Sequence, residues 1–594
     1  MLVFFSLFSA VIASANAAAP LPVSVSPAQV LNAAVSREVF GANCQTGSDG
    51  RIALPRSFAS YPLCRWGGNA VTRYNFVADC TNHASDWFFL NEPASLPDGA
   101  NSADVFVESV GAAGARVLVT IPTIGWVCCS GGAWGPGCAA KAAGFDTVKY
   151  SYVAAATECS ATGNASWCDR SAGNGVVAGS NKDVVGNDPR DTSVPSNASF
   201  GVAMAAHLVG LRGAPPAAAF DWALDNEPQL WHSTHRDVHP QPTTYDELWS
   251  VTLAYGSALK AAFPAGRVHG PIPWGWCAYW SSAADDCVSG PDRAAHNNTP
   301  IIQWLFEQVA RHKGATGVQV LDVLDVHFYP QAAGVDSGAE DPSTAALRFR
   351  SVMGLYNESY VDESWIAGPV ALLPRLRGWL EAAEAATGVV LDVALAVSEY
   401  SFGNDGLMTV ALAHVEALAV MAREGVEQAS VWVQPAVGGV GEAAFALLLN
   451  YDGENGTVAG AAAVAAASGD AAAVGAYAFL RAAGAAGRGA GASAAVLQVL
   501  LVAKQPPGNS NISVSLTIDW GAAGVPAAGP GAGVIGAGAG RNVTARLYQF
   551  AHGGALLPAF AGTLDVQCGA GAAPTAVELP PWSATIVEVP WNVC

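Results

Sequence analysis

Short apolar runs recur along the first three-quarters of the chain, each ending in polar or aromatic residues and followed by a stretch of helical periodicity. The runs are Glu38–Asn43, Leu63–Gly68, Arg116–Trp126, Phe220–Glu227, Arg267–Trp276, Leu321–Pro330, Leu391–Tyr400 and Ala429–Gln434. Apolar positions three and four apart mark helices at Asp104–Gly114, Tyr245–Ala262, Ile301–Lys313, Leu373–Ala386 and Gly406–Glu424. Runs that are apolar without alternation suit strands buried on both faces, and strand–helix alternation implies parallel pairing. Eight such units predict an α/β fold, a closed (β/α)8 TIM barrel over residues 36–485 with its active site at the C-terminal ends of the strands.

Past about residue 490 the period drops to two. Ala494–Ala503, Ile512–Trp520, Val543–Phe550 and Trp582–Val589 alternate between Gly- and Pro-rich turns. They predict an antiparallel β-sandwich domain over 490–594, joined by a strand from 21–35. Gly521–Gly540 is Ala/Gly/Pro-rich and reads as a loop. Cys128–Ser199 is a long excursion after the third run that needs disulfides or an ion to hold it.

Composition narrows the function. Lys and Arg total 28 against 48 Asp and Glu, a net −20, which disfavours nucleic acid and anionic membrane as partners. Leu2–Ile12 followed by Ala13–Ala18 reads as a signal peptide over 1–18, and no later run is long enough to span a bilayer. Twelve Cys without a repeated C-x-x-C at zinc-ligand spacing read as disulfides, and seven N-x-S/T sequons accompany them. The address is extracellular. The 18 Trp serve either as core or as stacking platforms for sugar rings.

Candidate chemistry sits at the run ends. Asp225–Asn226–Glu227–Pro228 closes the fourth run and Ser398–Glu399–Tyr400 the seventh. An isolated Asn–Glu pair is as readily a turn or a cap. Two glutamates facing each other across a barrel mouth are what glycoside hydrolysis requires: an acid for the leaving oxygen and a carboxylate for the anomeric carbon. No phosphate loop or nucleophile elbow competes.

Several segments resemble glycoside hydrolase family 44: Arg65–Asn75, Ser85–Phe89, Asn187–Pro189, Asp225–Pro228 with Leu230–Trp231, Thr234–Pro240, His327–Gln331 and Ser398–Tyr400. The resemblance runs in order from about residue 38 to 455. It implies a barrel plus β-sandwich and a retaining endo-β-1,4-glucanase, with Glu227 as acid/base and Glu399 as nucleophile. Soluble cellulose or xyloglucan would be the polysaccharide partner, and no cofactor would be required. The Cys-rich excursion and the segment after Asp452 depart from the family pattern and bear on cleft shape.

The remaining candidates are for substrate binding: Asn226 toward a sugar 2-hydroxyl, Tyr329 and His327 at the sixth run, and Trp432 as a platform. Trp231, His235, Trp66 and Trp274 complete the set. Asp86, Glu92 and Asp188 are candidates for a structural calcium. His232, His235 and His239 do not form a metal motif, because Pro240 and loop composition oppose a helix there. Arg65 and Arg73 are either structural ion-pair partners or groups that steer the nucleophile, and the structural reading is favoured. The chain is expected to be a monomer. The alternatives are another retaining barrel β-glycosidase of mannanase type, or a glycan-binding protein without catalysis, although such a descendant usually loses one carboxylate.

Overall fold

The computed structural model describes residues 19–591 apart from 95, 97–98, 130–142, 157–170, 483–494, 521–540, 555–556 and 570. The predicted signal peptide and the loop 521–540 lie outside the described residues. Eight parallel strands close into a barrel: β1 (Gly41–Asn43), β2 (Leu63–Trp66), β3 (Arg116–Ile121), β4 (Phe220–Leu224), β5 (Arg267–Pro271), β6 (Val323–Phe328), β7 (Ala394–Tyr400) and β8 (Gln428–Val431). Seven of the predicted runs contain one of them, and the eighth, Ala429–Gln434, misses only the first residue of β8. The helices fall where the apolar period placed them; Tyr245–Ala262, for example, starts on Thr244, whose hydroxyl accepts the Glu247 N–H at 3.2 Å.

Inside the barrel, Leu63, Leu118, Ala223 and Ile272 form a small apolar layer. Below it the interior is charged. Asp221 accepts from Gln428 Nε2 across the barrel at 2.6 Å, and His269 Nδ1 lies 3.0 Å from Asp325 Oδ2. Arg116 and Arg267 close the lower end on Asp221, each at 3.1 Å. These groups hold Asp221 well below the usual carboxylate range despite its burial.

The second domain differs from its sequence reading in extent and in pairing. Strands Ala462–Ser468 and Val474–Arg481 belong to it rather than to the barrel, so the boundary lies near residue 460 and not 485. They join Leu21–Asn32, Val496–Ala503, Ile512–Ile518, Asn542–Ala551, Ala559–Gln567, Thr575–Leu579 and Ser583–Pro590 in one nine-stranded sheet. The sheet is mixed: Leu21–Asn32 runs antiparallel to Ala462–Ser468 and parallel to Ile512–Ile518. Its inner side encloses Val25, Leu497, Val499, Leu516 and Val587.

The other side packs on the barrel. Helix Met408–Arg423 is buried at every position from Met408 to Ala422. A helix buried on every side has to be covered on every side, its polar Thr409, His414 and Glu416 included. One core runs through it from the barrel strands to Tyr477, Phe479, Leu500 and Ile586 of the sheet. Lys504 Nζ and Glu416 form a buried pair across this interface at 2.7 Å.

Disulfides Cys44–Cys64, Cys80–Cys128 and Cys277–Cys287 are formed, and Cys129 and Cys568 are also disulfide-bonded. Arg73 is the polar anchor beneath the excursion. It donates to Asp237 at 2.7 and 2.8 Å, to Asn82 at 3.0 Å, and to Thr192 and Ser193 at 2.6 and 2.5 Å. The structural reading of Arg73 holds. Among the described residues no helix is long and apolar enough to cross a membrane.

Candidate active site

β4 ends at Leu224, and the next three residues turn sharply: Asp225 and Glu227 both have left-handed backbones, φ 68° and 49°. Such conformations persist only where surroundings over-determine them. Asp225 supplies that constraint. Its Oδ2 accepts the backbone N–H groups of Thr123 and Ile124 at 2.6 and 3.0 Å, and its Oδ1 accepts that of Asn226 at 2.8 Å. Complete burial pushes the Asp225 carboxyl up, and these hydrogen bonds oppose the shift. The loop after β3 is thereby tied to the turn that carries Glu227.

Glu399 lies near the end of β7, with only 6% of its side chain exposed. Arg65 Nη1, from the end of β2, donates to Oε1 at 2.5 Å, and Tyr329 Oη donates to Oε2 at 2.8 Å. Burial, followed by the charge of Glu399, raises the Tyr329 phenol well above its ordinary value, so it stays a donor. Arg65 Nη2 also holds Asn226 Oδ1 at 2.8 Å, and Asn226 Nδ2 reaches Asn69 Oδ1 at 3.0 Å. One guanidinium therefore fixes both Glu399 and the neighbour of Glu227.

His327, fully buried on β6, puts Nδ1 2.8 Å from Glu227 Oε1 and 3.4 Å from Glu399 Oε2. Ligand-type atoms of Glu227, His327 and Glu399 all lie within 4.8 Å of one another, the one such cluster of three or more among the described residues. The second His327 nitrogen has no partner, and Tyr279 Oη donates to the His327 carbonyl. Two carboxylates this close, in a socket of fixed donors, can protonate one oxygen and attack the carbon beside it.

The other candidates divide. Trp432 is 37% exposed and lies over Gly68, where a Cβ would come within 2.5 Å of its ring. Gly67 likewise leaves room for the Arg65 guanidinium. Trp274 is half-buried just past β5. Four expectations are corrected. His327, a substrate-binding candidate, is fully buried and holds Glu227 instead. Trp231 is 1% exposed and braces Asp225 through Nε1 at 3.4 Å, packed on Ile124 and Val238. His235 is fully buried and its ring is kept neutral by burial, so it cannot meet substrate. Trp66 turns its ring into the core against Tyr74 and Phe106.

The calcium candidates do not converge. Asp86 is held by Asn69, Glu92 pairs with His83, and Asp188 caps the short turn at Arg190. Arg65, read as a structural ion-pair partner in preference to a group that steers the nucleophile, is ion-paired with Glu399 itself. The two glycines after Trp66 were the available signal, since they clear space for both the guanidinium and Trp432. Asn43, Asp225 and Asp325 carried no comparable mark.

Residues 80–332 match the family model of glycoside hydrolase family 44, a span that includes Glu227 and His327 and stops short of Glu399. Endoglucanase A of Paenibacillus lautus is 30% identical over 241 residues, 39% of this chain and 33% of the relative. The beta-mannanase/endoglucanase A of Caldicellulosiruptor saccharolyticus is 28% identical over 275 residues, 42% of this chain and 19% of that protein. The chain thus aligns with a third or less of the length of these curated relatives. Among solved structures, CelM2, a bifunctional glucanase-xylanase from a metagenome library, superposes with a TM-score of 0.79 at 28% identity, covering 96% of this chain and 99% of the other. A Paenibacillus polymyxa family 44 xyloglucanase with xyloglucan gives 0.66 at 20% identity, covering 96% and 99%, a likeness of fold.

Proposed function

We propose that this chain, whose residues 80–332 carry the glycoside hydrolase family 44 pattern, is a retaining endo-β-1,4-glucanase acting on β-1,4-glucans such as xyloglucan or soluble cellulose. The observation that carries the reading is the approach of Glu227 and Glu399, whose oxygens lie within 4.8 Å. Retaining enzymes hold their carboxyls about 5–5.5 Å apart, whereas inverting ones need roughly 6.5–9.5 Å for a water between them.

Glu399, oriented by Arg65 and Tyr329, attacks the anomeric carbon while Glu227 gives its proton to the departing glycosidic oxygen. Glu227 then takes a proton from water, which displaces Glu399 from the same face that the leaving group occupied. The two inversions restore the β configuration. Both proton transfer and covalent trapping come from carboxylates, so the reaction needs no cofactor. Asn226, held by Arg65, is the donor for the sugar 2-hydroxyl, and Trp432 is the platform beneath the cleaved sugar. Secretion is part of the same reading, supported by the apolar leader, the disulfides and the sequons.

Reducing-sugar release from xyloglucan, carboxymethylcellulose, xylan and mannan tests the substrate class, and release from mannan alone would overturn it. NMR of the first-formed anomer tests retention; an α product refutes it. Glu399→Gln should abolish turnover of every substrate. Glu227→Gln should spare activated aryl glycosides, and azide should rescue Glu227→Ala on these with a β-glycosyl azide. Rescue confined to the Glu399 variant would reverse the two roles.

A further inference from the structure

Strand β7 carries one residue more than either neighbour allows. Against β6, Val326 pairs with Val397 but His327 pairs with Glu399; against β8, Val397 pairs with Ala429 but Tyr400 pairs with Val431. The β6 pairing places the extra residue at Ser398, and the β8 pairing, which shifts between Val397 and Tyr400, is consistent with it. Side chains alternate along a strand, so one extra residue reverses the face of everything beyond it. Val397 and Tyr400 both pack outward into the core around the helices, and Glu399 faces the barrel mouth between them. In a regular strand in which Val397 points outward, Glu399 would point outward as well.

A bulged residue loses its ladder partners, and its backbone groups need others. Ser398 finds them in side chains inside the barrel. Its N–H donates to Asp325 Oδ1 at 3.0 Å, and its carbonyl accepts from Asn43 Nδ2 at 3.0 Å. Asn43 Oδ1 in turn accepts from Arg65 Nη1 at 3.0 Å. The other oxygen of Asp325 faces His269 Nδ1 at 3.0 Å, and both residues are fully buried.

We propose that Asp325 and Asn43 are positioning residues that hold the β7 bulge at Ser398 and so aim Glu399 at the anomeric carbon. The assignment rests on the hydrolase reading above, with Glu399 as nucleophile. Asp325 takes the orphan N–H from below, and Asn43 clamps the orphan carbonyl from the β1 side. His269 fixes the Asp325 carboxylate so that one oxygen always faces Ser398. Neither residue touches substrate. Their effect is on where the attacking oxygen stands, and a displacement of about 1 Å at that atom is worth about a hundredfold in rate.

The test compares Asp325→Ala and Asp325→Asn with wild type and with Glu416→Gln, a destabilising change at the interface with the sheet domain. Steady-state kinetics on carboxymethylcellulose and on a dinitrophenyl β-cellobioside are read beside melting temperatures. Asp325→Ala should lose about a hundredfold in kcat with KM within about twofold of wild type, and the loss should appear in the pre-steady-state formation of the glycosyl-enzyme. Asn keeps an oxygen for the Ser398 N–H and should restore kcat to within about tenfold. Glu416→Gln should lower the melting temperature without moving kcat. Full kcat in Asp325→Ala, or a loss in Asp325→Asn as large as in Ala, overturns the proposal. So does a kcat loss that tracks melting temperature across all three variants. Should Asp325→Ala fail to fold, Asn43→Ala on the carbonyl side takes its place with the same expected kcat loss. An inactive wild type would instead refute the hydrolase reading.

Discussion

Arg65→Met isolates the charge that the site is built around. Arg65 is fully buried, and its Nη1 stands 2.5 Å from Glu399 Oε1, itself 6% exposed. At an effective dielectric near 20, unit charges at that distance attract by about 7 kcal/mol. Burying the two ions costs several kcal/mol each, so the pair itself contributes little net stability. Removing one partner is another matter: the remaining carboxylate stays buried without its counter-charge, at a cost of about 3–5 kcal/mol. The variant should therefore unfold more easily by that amount in denaturant, and kcat should fall by at least about a hundredfold because Asn226 and Glu399 both lose their orienting donor. The double variant Arg65→Met/Glu399→Gln removes the stranded charge and should recover more than half of the lost stability, a coupling read from a double-mutant cycle. Urea unfolding followed by tryptophan fluorescence measures all four proteins. A single-variant cost below about 1 kcal/mol, or a double variant no more stable than Arg65→Met, would refute the stranded-charge argument.

Three more expectations follow from other parts of the molecule. Gly68 has φ 95°, and an added Cβ would lie 2.5 Å from Trp432, so Gly68→Ala should displace that ring and lower kcat/KM about tenfold while the fold survives; an unchanged kcat/KM would remove Trp432 from the cleft. His414 is fully buried and burial lowers its pKa to about 3, so the unfolded chain binds a proton that the folded one refuses; stability should fall by roughly 1.4 kcal/mol per pH unit below about 6.5, and His414→Phe should shift acid unfolding to lower pH. An acid midpoint unchanged by that variant would exclude His414 as a source of acid lability. A fragment of residues 36–460 leaves helix Met408–Arg423 uncovered on the side that meets the sheet, and should be insoluble when expressed alone. A soluble, active fragment would show that the sheet is dispensable for the barrel.

The sequence by itself determined the eight barrel strands, because parallel strands buried on both faces leave apolar runs that need no partner to be recognised. It also placed the two candidate glutamates at strand ends, because the position of a strand end is local information. The limits of the sheet domain were not local. Ala462–Ser468 is nearly all alanine and small residues, so its alternation carries no amphipathic signal, and only its pairing with Leu21–Asn32 and Val474–Arg481 reveals the strand. Trp66, Trp231 and His235 illustrate the same limit, because an aromatic or a histidine near a strand end fits a cleft as well as a core until its neighbours are known. Arg65 lies 334 positions from the carboxylate it holds, and no spacing rule connects them. The facing of Glu399 was decided latest of all. Its direction depends on strand phase, the phase depends on one extra residue at Ser398, and that bulge exists because Asp325 and Asn43 on other strands accept and donate the hydrogen bonds it forfeits.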